Sequence, residues 1–151
     1  MRPFARNALA LLVGLLLGGS VNMALVTLGP VMITPPPGVD MTTAEGLQAA
    51  IPLLEPKHYL MPFLAHALGT LVGAWAGVWL AISHRSLVAY AIGIAFLCGG
   101  IAASAMIPAP SWFKAVDLVG AYIPMAWLGL TLATRMKRDD AEQVRSGRSA
   151  Q

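Results

Sequence analysis

Four long apolar runs fill most of the chain, at about residues 7–28, 58–82, 86–107 and 113–134. Each is about 20 residues or longer, and at about 1.5 Å of helical rise per residue that crosses a hydrocarbon core of about 30 Å. The runs predict an all-α chain: a bundle of four transmembrane helices in one domain spanning residues 1–134, followed by a basic, disordered cytoplasmic tail at 135–151. Composition excludes the usual alternative. Only 11% of residues are charged and 57% are hydrophobic, against about 25% charged in an ordinary water-soluble domain. Arg85 is the only charged residue between Lys57 and Lys114. The net charge of +3 does not point to nucleic acid, because the basic residues stand at the ends of apolar runs. The partner this composition implies is the lipid bilayer.

Charge at the ends of the runs sets an orientation, since Arg and Lys concentrate on the cytoplasmic side. Arg2 and Arg6 place the N-terminus inside. Arg135, Lys137, Arg138, Arg145 and Arg148 place the tail there too, and Arg85 does the same for the turn between the second and third runs. The long first connection holds Asp40, Glu45 and Glu55 against Lys57 alone, and the third has no charge until Lys114; both read as external. Arg2 and Arg6 before an apolar run, with Gly18-Gly19-Ser20 inside it, also resemble a signal peptide. The run continues through Leu28, which favours a span. Tyr59, Trp112 and Phe113 fall at expected outer boundaries, where amphipathic rings prefer the headgroup level. Cys98 reads as a small packed residue.

The first connection has structure of its own. Pro35-Pro36-Pro37-Gly38 predicts a stiff stretch and a turn. Thr42 and Glu45 have capping-box spacing, and Leu47, Ala50, Ile51 and Leu54 follow at helical spacing. A short amphipathic helix is expected, bent or ended by Pro52. It serves either as a connector over the bundle or as a lid.

Glycines mark the packing faces. Gly14 and Gly18 in the first run, and Gly69, Gly73 and Gly77 in the second, recur every four residues and would admit a close helix neighbour. The neighbours are either each other or a second copy in a homo-oligomer or larger membrane complex. Pro124 is expected to kink the fourth helix.

The few polar residues inside the runs carry the functional expectation. Asn22, His66 and Asp117 fall at one depth, about 6–12 Å below the outer boundary if the helices alternate in direction. Ser104, Tyr122 and Thr70 are further members; Thr70 is four residues past His66 on the same face, and Tyr122, five past Asp117, is expected on an adjoining face. An ionisable side chain facing lipid costs about 2.5 kcal/mol or more near the bilayer centre, so Asp117 and His66 should face the interior. The expected arrangement has Asp117 accepting a hydrogen bond from His66, with Asn22 bridging. Such a cluster either fixes helix packing or forms a proton- or ion-linked site. Glu55 and His58, three apart, are the only candidates for a metal. His66 lies about 10 Å further along the helix, and neither a metal site nor a cofactor is expected.

Several stretches together carry a family likeness: Pro35-Pro36-Pro37-Gly38-Val39-Asp40, Glu55-Pro56-Lys57-His58-Tyr59, Phe63-Leu64-Ala65-His66-Ala67-Leu68-Gly69-Thr70, and the segment from Asp117 through Tyr122 and Pro124 to Trp127. The chain resembles, from the first run to about Leu130, a family of small bacterial four-span membrane proteins without an assigned activity. That resemblance implies a multi-pass inner-membrane protein and supplies no substrate. The leading expectation is an accessory or assembly protein with a polar pocket in the outer half of the bundle. A proton- or ion-linked transporter component and a membrane enzyme acting on a lipid or quinone are the alternatives.

Overall fold

The computed structural model describes residues 3–38, 40 and 43–149. The chain is helical and has no strand among these residues. The order is α1 (Pro3–Met32), α2 (Ala44–Ala50), α3 (Leu60–Leu80), α4 (Arg85–Met106), α5 (Ser111–Gly120) and α6 (Ile123–Ser149), with short 3₁₀ turns at Ile51–Leu53 and Pro56–Tyr59. Four helical stretches are long and apolar enough to cross a membrane: Pro3–Met32, Pro56–Leu80, Arg85–Met106 and Ser111–Ser146.

Proline explains most of the boundaries. α1 runs past the expected end at 28 to Met32, with Pro30 in its last turn. Pro30 donates no hydrogen bond, and the helix stops soon after it. Pro108 and Pro110 keep α4 and α5 apart, because a residue preceding proline is pushed out of the helical region. The fourth apolar run is two helices rather than one kinked helix. Pro124 lacks the donor that would reach Gly120 and its ring would clash with that carbonyl. The chain therefore breaks at residues 121–122, and Pro124 becomes the second residue of α6, where no donor is needed.

Two other expectations are corrected. The tail was expected to be disordered from 135, but α6 continues to Ser149. Lys137 holds it to α3, its ammonium donating to the Val78 carbonyl at 3.4 Å and lying 5.6 Å from the centre of the Trp79 ring. Arg138 and Glu142 pair one turn apart at 2.9 Å, a spacing that supports an exposed helix. Thr42 lies outside the described residues, and the cap of α2 is Thr43, whose hydroxyl accepts from the Gly46 amide at 3.0 Å.

Small residues let the long helices approach. A Cβ on Gly14 would lie 2.6 Å from the Gly73 carbonyl oxygen, and one on Gly18 would lie 2.5 Å from that of Gly69. The reverse contacts are equally short, with Gly69 against the Gly18 carbonyl and Gly73 against that of Gly14. The α1 and α3 backbones thus touch along this seam, and only glycine fits. Ala10, Ala74, Val78, Ile92 and Ala126 then close one core around α1, α3, α4 and α6. Gly77 in α3 is filled from α4 instead, since its Cβ would meet Ile92 Cδ1 at 2.6 Å.

Asn7 locks the end of this core. Its amide nitrogen donates to the Ser83 carbonyl and hydroxyl, both at 2.9 Å, and its amide oxygen accepts from the Ile82 amide at 3.3 Å. The turn it holds reverses through His84, which adopts a left-handed backbone at φ 50°.

Candidate functional site

At the opposite end the helices part around a cavity of about 360 Å³, in the size range of small-molecule sites. Its walls are the end of α1 (Val26, Pro30), the first half of α3, the end of α4 (Gly100, Ala103) and α5. Leu47 of α2 and Leu54 after it close it from the long connection. Ala50 is fully buried between them, so the connection packs on the bundle by the apolar face its helical spacing produces. The lining is predominantly apolar.

The polar floor of the cavity is His66 and Asp117. His66 Nδ1 lies 2.8 Å from Asp117 Oδ1 and 2.9 Å from Oδ2. The Tyr122 hydroxyl donates to Oδ2 at 3.0 Å, and its ring stacks beside the imidazole with centroids 5.8 Å apart. Asp117 is 5% exposed and His66 keeps a quarter of its side chain open. A buried carboxylate is tolerated when its oxygens accept hydrogen bonds, and here both do. His66 Nδ1 is committed to Asp117. Among the described residues Nε2 makes no hydrogen bond, and it is not one of the buried side-chain atoms left without a partner.

Local geometry explains each position. Asp117 stands in the next-to-last turn of α5, and the break after Gly120 swings Tyr122 back toward it. Tyr122, five residues on, reaches Asp117 with its hydroxyl across that break. Gly100 of α4 makes the room, because a Cβ there would overlap the Tyr122 hydroxyl. Tyr59, Trp112 and Phe113 brace the start of α5, with Tyr59 5.4 Å from Trp112 and 4.9 Å from Phe113 between ring centres.

The other expected members are elsewhere. Asn22 does not bridge His66 and Asp117. Its Cβ packs beside Gly69 in the α1–α3 seam, and its amide oxygen is buried without a hydrogen-bond partner. Equal depth did not bring it over, because α1 turns its glycine face, and Asn22 with it, onto α3. Thr70 is fully buried but donates to its own helix, to the His66 carbonyl at 2.8 Å. Ser104 lines the cavity, donates to the Ile101 carbonyl at 2.8 Å, and receives Lys114 Nζ on its own carbonyl at 2.6 Å. Cys98 is exposed on α4 rather than packed.

Glu55 and His58 are used structurally. The Glu55 carboxylate pairs with Lys57 at 3.0 Å. His58 Nδ1 accepts from the Glu55 amide at 3.0 Å, and Nε2 reaches the Thr34 carbonyl at 3.3 Å, tying the long connection to the start of α3. No group of three His, Cys, Asp or Glu side chains converges among the described residues. Reading the sequence assigned no site role to Asn7, Gly100 or Lys114. Gly100 stands beside Gly99, Ala102 and Ala103, a run of small residues that marks a packing face, whereas Asn7 and Lys114 look like ordinary boundary residues.

No family model, curated protein or solved structure matches the chain.

Proposed function

We propose that this is an integral membrane protein, crossing the bilayer four times with both ends cytoplasmic, whose outer-half cavity binds an amphipathic molecule drawn from the membrane. The single observation that carries this is the His66–Asp117 pair at the floor of a predominantly apolar cavity, with Tyr122 bonded behind it. A purely structural pair would use up its polar atoms, but this one leaves an imidazole nitrogen open.

Several features support the bilayer setting. Leu12, Leu16 and Met23 of α1 are each more than half exposed, a surface that suits lipid and not water. Arg6, Arg85, Arg135 and Lys137 gather at the end away from the cavity, which suits a cytoplasmic face. Val26 and Ile107, on the cavity rim, are 45% and 49% exposed. The rim thus includes apolar flanks that would meet lipid, a route for a ligand to enter sideways. A bacterial inner-membrane location, implied by the family resemblance, belongs to the same proposal.

The accessory role expected from the glycine faces now rests on the cavity, since those glycines are occupied within the chain. The test is native mass spectrometry of protein released gently from membranes. One retained amphiphile per chain, lost in Ala103→Trp, is expected. A bare wild-type chain contradicts the reading. A proton-linked carrier is the second reading, favoured by the imidazole–carboxylate pair beside a cavity. It requires pH-driven flux in proteoliposomes that Asp117→Asn abolishes, and a wild type without flux removes it.

A further inference from the structure

The hydrogen-bond geometry of His66 narrows the ligand. Resting on the binding role proposed above, we infer that the cavity selects amphiphiles whose head group donates a hydroxyl proton, such as a phenol, quinol or long-chain alcohol, with His66 Nε2 as the acceptor.

Asp117 fixes which nitrogen of His66 is left over. Its two oxygens face two donors, His66 Nδ1 at 2.8 and 2.9 Å and the Tyr122 hydroxyl at 3.0 Å. A carboxylate only accepts, so the nitrogen facing it is the one that carries the N–H. A neutral imidazole carries one N–H, and the bond made by one nitrogen fixes the state of the other. With the proton held on Nδ1, Nε2 presents a lone pair. It finds no donor among the described residues.

Three nearby hydroxyls are committed. The Tyr122 hydroxyl serves Asp117, the Ser104 hydroxyl serves the Ile101 carbonyl, and the Thr70 hydroxyl serves the His66 carbonyl. Lys114 points its ammonium at the Ser104 carbonyl at 2.6 Å. His58 is bound to backbone through both ring nitrogens. The unmet demand at Nε2 is therefore for a donor, while the Tyr59 hydroxyl and two N–H bonds of Lys114 on the same wall have no partner among the described residues, and a hydroxyl, donor and acceptor at once, can meet both demands. A ligand carrying only acceptors, such as an ether or a quinone, would leave Nε2 unsatisfied, and one with a hydroxyl would satisfy it. The apolar walls and lipid-side rim supply the place for its hydrocarbon part.

A matched pair of probes tests this: 4-octylphenol and its methyl ether 4-octylanisole, which differ in the donated proton. Binding to the full-length protein in detergent is measured by calorimetry. The phenol should bind the wild type about tenfold more tightly, the usual worth of one well-placed hydrogen bond. The gap should close in His66→Phe, which keeps an aromatic ring without the nitrogens. Equal affinities in the wild type overturn the hydroxyl preference and leave the cavity reading standing. Failure of both probes to bind overturns the cavity reading as well. A gap that persists in His66→Phe removes Nε2 as the acceptor. The wild-type comparison decides the preference even if the variant does not fold.

Discussion

The two ends of this bundle solve opposite problems with the same helices. From Gly14 to Gly18 on α1, and from Gly69 to Gly73 on α3, backbone meets backbone. At the other end α1, α3, α4 and α5 stand apart around about 360 Å³. The closed end depends on removing side chains, which brings two backbones into van der Waals contact. The open end depends on side chains that cannot be removed. The carboxylate, imidazole and phenol satisfy one another and leave one nitrogen over. The difference teaches where function can reside in a chain this small: the seam supplies rigidity, and that rigidity allows the other end to remain open.

The comparison can be broken hardest at the seam. Gly18→Leu sets a side chain against the Gly69 carbonyl and the Phe96 ring. Overpacking of this kind costs about 3 kcal/mol or more. A thermal melt in detergent should show collapse of the transition, and a near-wild-type melt would mean the two backbones do not touch.

Asp117→Ala is next. It strands His66 and Tyr122, and breaking a buried pair costs about 3–5 kcal/mol where both groups are fully desolvated. The partly open imidazole places this case at the low end, about 2–3 kcal/mol by the cost of unpaired buried donors. Asp117→Asn, which keeps an acceptor oxygen, should recover about half. Gly100→Ala tests the same array from α4 and should displace the Tyr122 hydroxyl, lowering stability by about 1–3 kcal/mol. If Gly100→Ala melts like the wild type, Tyr122 has room the structure does not show.

The smallest effect sharpens the closed end. His84→Gly relieves a left-handed backbone at φ 50° and should stabilise the chain by less than about 1 kcal/mol. A loss of stability would mean that the His84 side chain contributes more than its backbone costs.

Much of this was legible in the sequence for physical reasons. Length and hydropathy locate the four long helices, because an apolar run of that size has few other uses. His66 and Asp117 could be paired in advance because each is expensive to leave facing lipid. What the sequence hid were angles and neighbours. Asn22 shares a depth with the pair, but its direction follows the glycines beside it. Tyr122 joins Asp117 only because Pro124 breaks the helix upstream of itself, at residues whose own identities give no warning. Asn7 reads as a polar residue at the start of a run, and its partners lie 76 and 75 residues away. The helix beyond 135 was hidden by its charge, which suits solvent as a helix or as coil.

The account turns on the imidazole beneath the cavity, so the most direct measurement is ¹⁵N solid-state NMR of histidine-labelled protein in lipid bilayers, with His66 assigned by comparison to His66→Phe. The account predicts a proton on Nδ1, a bare Nε2, and an Nε2 signal that shifts when 4-octylphenol is added. A proton found on Nε2, or an Nε2 signal indifferent to the phenol, would contradict it.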